Sequence, residues 1–459
     1  MEPVFIKRFF SFLNRYFLLS LLISSILFFT LQSCSPTGPI PTRDVELSVS
    51  DVSCTEAWLN LSVNNLTSNT QVQLLRNSSV INTFNITSSD TTLYDDSLSP
   101  NKTYNYQAVE IQNRRVISKS KIITAKTMDT TSHNWIFKTF LLGGAQNSVL
   151  NDIAIIDDTL AYAVGEIYAY DSKGNINQTP FCLARWNGTK WDLSQLKFFP
   201  PGSIGDSINA VGTSIFVVNP KDIWLTAGAV FHFNGNSWTP FYNTLGAEGA
   251  IKIWRDSKGD ILFIGRNGLI ISYSNGIWRK IESGTSIKLL DIWGNESDTW
   301  ICGWDNFEPT ILLKYEDNSL NTVLNIPNNN LNYYSPDVIS GAIESIWTNN
   351  LNNLFLLTWY GLYRIKNNNF NNPKILWNGN PNTWGLSKVR GNNVNDIVGV
   401  GIYGRIWHYN GITWFNYKSL INNSYNLKSV AIKGNLMIAV GDQYENGINN
   451  YALVQVGQR

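Results

Sequence analysis

The chain has 459 residues, enough for more than one domain, and a formal net charge of +1 with only 15% charged residues. That balance excludes a nucleic-acid surface, which needs a concentrated basic field. Hydrophobic residues reach 43%, but beyond the N-terminus they fall in short runs broken by Gly, Asn and Asp, the pattern of an all-β protein.

The first predicted element is a targeting segment, residues 1–33. Lys7, Arg8 and Arg15 form a basic region, and 16–31 is an apolar stretch short of the roughly 20 residues that a membrane-spanning helix needs. It ends Leu31-Gln32-Ser33-Cys34, and a linker over 34–43 follows. This ending resembles the bacterial lipobox, in which an aliphatic residue, a tolerated residue and a small residue precede the Cys that is lipidated. The resemblance implies lipidation of Cys34 and a bacterial envelope protein anchored in a membrane, the outer one by preference, facing periplasm or exterior. A plain signal peptide with an incidental Cys, or an N-terminal membrane anchor, is the alternative. The other three cysteines, Cys54, Cys182 and Cys302, are odd in number, widely spaced and without a CxxC. They predict neither a disulfide framework nor a zinc site.

Residues 44–128 read as short strands over 45–49, 57–63, 71–75, 80–86, 103–111 and 117–127, the spacing of a β-sandwich. Ala57, Leu59, Leu61 and Val63 alternate onto one face, which puts Trp58 on the other with Asn60 and Ser62. Leu98-Ser99-Pro100 and Tyr104 resemble the L-x-P-x-x-x-Y signature of fibronectin type III domains. That resemblance implies a spacer domain in which Tyr104 makes the family's tyrosine corner. The family's buried Trp on the second strand is not matched if Trp58 faces away.

From 129 to 459 one strand pattern returns seven times: at Thr159 (TLAYAVG), Asp222 (DIWLTAG), Asp260 (DILFIG), Asp298 (DTWICG), Asn353 (NLFLLT), Asp396 (DIVGVG) and Asn435 (NLMIAVG). Each copy is preceded by another strand and followed by a third, and four of them then carry an Asn-Gly turn and a Trp: Trp191, Trp238, Trp278 and Trp414. Asn-Gly accepts the positive φ values of a tight hairpin. Each unit is therefore one four-stranded blade, and seven units predict a seven-bladed β-propeller. The repeated Trp is expected to pack one blade on the next, since a blade alone cannot bury both faces. The turn resembles the Asp-box of sialidase-like propellers, with Asn in place of Asp; that box is structural, so the resemblance implies fold and not hydrolysis. The last blade lacks an outer strand, which 135–141 is expected to supply.

Little points to catalysis. There are 3 histidines, and His232 and His408 hold equivalent places before two Asn-Gly turns. No phosphate loop, HExxH or GxSxG is present. The runs 171–175 and 256–260 are faintly like calcium loops but lack the distal Glu. No metal or cofactor is expected. The candidate site is instead the set of turns between second and third strands, which gather around a propeller's channel. They carry Glu166, Trp304, Asp305, Phe307, Trp359, Tyr360, Tyr403 and Tyr444, aromatics beside polar groups that suit a glycan, peptide or envelope protein partner. Two alternatives stand beside non-enzymatic binding. One is a polysaccharide hydrolase or lyase using Glu166, Asp305, Glu308, Asp442 or Glu445; the other is a structural subunit of an envelope assembly.

Overall fold

The computed structural model describes residues 44–459 apart from 65, 67–69, 146, 200–206, 296–297, 306–307, 328–337, 351–352, 379–384 and 446–447. Residues 1–43, which hold the expected targeting segment, Cys34 and the linker, lie outside the described residues. The chain divides into two compact units. Among the described residues no helix is long and apolar enough to cross a membrane.

The first unit, residues 44–50, 57–95 and 103–126, contains two antiparallel sheets. One holds Val45–Val52, Ala57–Val63 and Asp90–Asp95; the other holds Ser79–Ile86, Thr70–Arg76, Thr103–Gln112 and Arg115–Lys119, with Ile123–Lys126 also paired to Thr103–Gln112. Alternation holds in the second strand at Leu59, Asn60 and Leu61 but fails at its start. Trp58 is fully buried, as are Ala57 and Leu59 on either side of it. By the strand's period of two Trp58 still lies opposite Ala57 and Leu59, but its face is buried at this end and not wet. This end of the strand is covered on both faces, and an indole has too much apolar area to leave in water. The fully buried tyrosine of the long strand is Tyr106, whose hydroxyl donates to Asp95 Oδ2 at 2.7 Å. Tyr104 is half-buried, with the Arg76 guanidinium 5.8 Å from its ring centroid.

The second unit carries seven four-stranded antiparallel sheets, each a simple up-and-down order. In chain order they span 149–194, 214–241, 250–280, 289–326, 343–378, 386–416 and 425–458, and are called sheets one to seven below. The first strand of each packs beside the first strand of the next. Val149–Asp157 packs beside both Ser214–Asn219 and Tyr425–Lys433, so the seven first strands close into a ring. The fourth strand of sheet seven is Ile136–Gly143, which pairs antiparallel with the last strand from Tyr451↔Gly143 to Gln458↔Ile136. The two ends of the repeat region are thereby hydrogen-bonded to each other, as expected, and the edge of Ile448–Gln458 is covered.

Seven hydrophobic clusters each span two neighbouring sheets. The repeated Trp residues belong to them. Trp191 of sheet one shares a cluster with Ile438 and Val454 of sheet seven, and Trp278 of sheet three packs edge-on to Phe241 of sheet two, centroids 5.7 Å apart. The Trp414 indole N–H donates to the Leu376 carbonyl of sheet five at 3.2 Å. These rings bury apolar area between sheets that could not bury it alone.

The Gly that ends most repeats has a specific cause. In six sheets the first strand carries a bulge, for example between Leu150 and Asp152 and between Leu427 and Ser429. The bulge pushes a carbonyl onto the second strand. A Cβ at Gly401 would stand 1.5 Å from the Gly385 oxygen, at Gly441 1.8 Å from Asn426 O, and at Gly165 2.1 Å from Val149 O. None of these glycines needs a positive φ; what they supply is room.

Candidate functional site

The residue just after each bulge points into the channel that the first strands enclose. Taken from sheet one to sheet seven, with the corresponding residue of sheet two, the seven are Asp152, Ser214, Lys252, Asp291, Ser345, Lys388 and Ser429. Every one is polar, and they bond in a repeated order. Asp152 accepts from Ser214 Oγ at 2.9 Å, from the Ile215 amide at 3.1 Å, from Lys252 Nζ and from Ser429 Oγ at 2.8 Å. Asp291 accepts from Ser345 Oγ at 2.7 Å and the Ile346 amide at 3.0 Å, and pairs with Lys388 Nζ at 3.3 Å. It also takes a fork from Arg390, 2.8 and 3.0 Å.

These are buried ions, so their charge state follows from a contest between desolvation and partners. Burial works against ionisation of Asp291, but Arg390 and Lys388 outweigh it and hold the carboxyl well below the usual range. Burial likewise opposes Asp152, and Lys252 reverses the balance downward. Burial lowers Lys252 to about 8 despite Asp152 beside it. Both ring carboxylates are engaged, and the bonds form two arcs of a polar belt, one over sheets seven, one, two and three and the other over sheets four, five and six.

Lys252 lines a cavity on either side of that belt. One, of about 180 Å³, is walled by aliphatic residues and by Trp254 and Trp293. The other, of about 560 Å³, is the mouth on the side of the second-to-third-strand hairpins. The first strands contribute Asn151, Glu344 and Lys428 there, and the hairpins contribute Arg266 and Trp304. Lys288, just before the bulge of sheet four, completes the wall. Trp359 packs edge-on to Trp304, centroids 4.8 Å apart at 81°, and its indole N–H donates to Glu344 Oε1 at 2.9 Å. Burial raises the Glu344 carboxyl, a rise that the Trp359 bond and the nearby Lys388 only partly offset. Lys428 pairs with the buried Asp442 at 3.1 Å. For Arg266 and Lys288 no acidic partner occurs among the described residues.

Of the residues expected at the site, the structure brings together Trp304 and Trp359. Tyr360 follows Trp359 and lies against Gly341. Asp305 is exposed next to Trp304. Glu166 accepts the Tyr168 hydroxyl within its own hairpin, Tyr403 is an exposed residue at φ 61° and Tyr444 is 52% exposed; none of the three lines the mouth cavity. Phe307 and the side chains of Glu308 and Glu445 lie outside the described residues. Sequence reading missed Glu344, Lys288, Arg266 and Lys428. The signal for three of them was available: they sit at or beside a first-strand bulge, where an apolar alternation is interrupted by a charged residue.

The other chemical suspects have structural roles. Asp171 Oδ1 accepts the amides of Lys173 and Asn175, and Asp256 Oδ1 those of Lys258 and Asp260. Both calcium-like runs are thus Asp-anchored turns of one design. His232 and His408 each meet the Asp that opens their repeat, Asp222 at 2.8 Å and Asp396 at 2.7 Å. Cys54, Cys182 and Cys302 are buried free thiols.

No protein-family model matches the chain, and no curated protein matches it. Solved structures do. A structure of YCF48 bound to D1 peptide aligns over 72% of this chain and 99% of its own length, with TM-score 0.51 and 12% identity. YCF48 from Cyanidioschyzon merolae aligns over 69% and 98%, with TM-score 0.47 and 11% identity, and the computationally designed Ika8 protein over 69% and 98%, with TM-score 0.44 and 8% identity. At such identities the likeness is one of fold: the chain is all-β and carries a β-propeller.

Proposed function

We propose that this chain is a bacterial envelope lipoprotein whose propeller binds a peptide or protein partner without catalysis. In this reading Cys34 carries lipid, the first unit is a fibronectin type III-like spacer, and the seven sheets are the seven blades of one propeller. The observation that carries the binding role is the 560 Å³ mouth cavity with the Trp304–Trp359 pair at its edge, a concave site with aromatic surface and a few polar groups. A propeller of the same fold, YCF48, has been solved with a D1 peptide, which favours a polypeptide over a glycan here. The mouth carboxylates speak for binding rather than hydrolysis: Asp152 is held in the polar belt and Glu344 is bonded to Trp359. A hydrolase would need an acid and a base free to face one bond.

The test is affinity capture from envelope extracts by the full chain and by its Trp304→Ala/Trp359→Ala variant. A captured polypeptide that disappears in the variant, with the melting temperature unchanged, is the expected result. Capture that survives both truncations refutes the mouth as the site. Cys34→Ala tests the anchor separately: the protein should leave the membrane fraction.

A further inference from the structure

The mouth cavity has more cations than the acids among the described residues pair with. Five cationic side chains and two carboxylates line it. Lys252 and Lys388 are committed to Asp152 and Asp291 in the polar belt, and Lys428 to Asp442. Arg266, exposed on the hairpin of sheet three, and Lys288, half-buried at the start of sheet four, have no acidic partner among the described residues. They come from adjacent sheets and share one wall with Trp304. The one lining acid outside the belt, Glu344, accepts the Trp359 indole N–H at 2.9 Å and is a single carboxyl against two cations.

A concave site with low-dielectric walls focuses such a field outward. Guanidinium and ammonium groups at one wall make charge-assisted hydrogen bonds to a carboxylate, the Arg in a two-point fork. The adjoining indoles offer apolar area to the chain that bears the carboxylate.

Building on the binding role argued above, we propose that the mouth selects an acidic segment of a polypeptide, its carboxylate held between Arg266 and Lys288 and its neighbouring residues lying on Trp304 and Trp359.

The experiment uses the full chain in detergent and two fluorescein-labelled Gly-Ser peptides, one bearing four consecutive Glu, the other four Gln, both amidated. Fluorescence anisotropy should show the Glu peptide binding at least about tenfold tighter at low salt, with the difference shrinking as salt screens it. Arg266→Glu/Lys288→Glu should abolish the preference, and the milder Arg266→Gln and Lys288→Gln should each reduce it while the melting temperature holds. If both peptides bind equally and Trp304→Ala weakens both, acid selection is overturned and the peptide-binding role stands. If neither peptide binds, or both bind indifferently to every variant, both readings fall. Displacement of the Glu peptide by oligogalacturonate more readily than by unlabelled Glu peptide would overturn a polypeptide as the occupant.

Discussion

Asp152 and Asp291 stand three sheets apart in the ring, yet occupy the same post-bulge position and make the same bonds. Each accepts a serine hydroxyl and a backbone amide from the next sheet, and a lysine from the sheet beyond. Asp-Ser-Lys is thus written twice around the channel, and Ser429 of sheet seven bridges back to Asp152. One arc of the belt joins sheets seven, one, two and three and the other joins sheets four, five and six, while apolar faces join every neighbouring pair.

The belt predicts an asymmetric response to mutation. Asp291→Asn leaves Arg390 and Lys388 buried without their anion, and removing one partner of a buried ion set costs about 3–5 kcal/mol. Denaturant unfolding measures it. Because the Asp291 carboxyl is held low in the folded state, its contribution is present above the ordinary carboxylate range and fades as pH falls below about 4. The wild-type protein should lose stability in acid more steeply than the Asn variant; parallel acid profiles would remove Asp291 from the account.

Gly441→Ala tests the bulge. The new methyl would stand 1.8 Å from Asn426 O, a backbone atom that cannot move without shifting the first strand. Overpacking of this kind costs about 1–3 kcal/mol. A control is Gly276→Ala, where a Cβ meets nothing within 4 Å but must adopt φ 82°. If Gly441→Ala melts with the wild type, the glycines are not there for room.

Much of this was legible in the chain itself. The strand repeats, the Asn-Gly hairpins, the inter-sheet Trp and the closing strand follow from local pattern, because each repeat solves the same packing problem. The burial of Trp58 was missed because period two describes a strand with one wet face, and the start of Ala57–Val63 has none. The site was half legible. Trp304 and Trp359 stand out as hairpin aromatics, but Lys288, Glu344 and Arg266 come from three sheets and converge only when the ring closes. Charge pairing decides which of them is free, and pairing is a property of distance rather than of sequence.

Removing the closing strand should expose the edge of Ile448–Gln458. Deletion of 132–142 takes away nearly all its partners from Tyr451↔Gly143 onward, and unpaired edges recruit other chains. Light scattering should report concentration-dependent association and calorimetry a lower melting temperature. A monomer with an unchanged melting profile would mean that sheet seven is stable with three strands.

The same seam should respond to mild acid. His408 presents Nε2 to Asp396 at 2.7 Å, so the network assigns its proton there and leaves Nδ1 as an acceptor. His133, just before the closing strand, faces that atom with its own Nδ1 at 2.8 Å and therefore donates. Its Nε2 then accepts from the Thr413 hydroxyl at 3.2 Å. Protonation of His133 turns its Nε2 into a donor and reverses the bond to Thr413, whose hydroxyl then has only Asn410 Oδ1, at 3.3 Å, to donate to. Burial, with the neighbouring His408, lowers the His133 pKa from its ordinary value near 6.5. Between 6.5 and that lowered value the unfolded chain binds a proton that the folded one refuses, so stability falls as pH drops through this window. Hydrogen exchange of the Ile136–Gly143 amides should accelerate relative to the intrinsic rate as pH falls from about 7 to 5. His133→Asn, which can still donate to His408 but does not titrate, should flatten that dependence. An unchanged slope in the variant would place the acid sensitivity elsewhere.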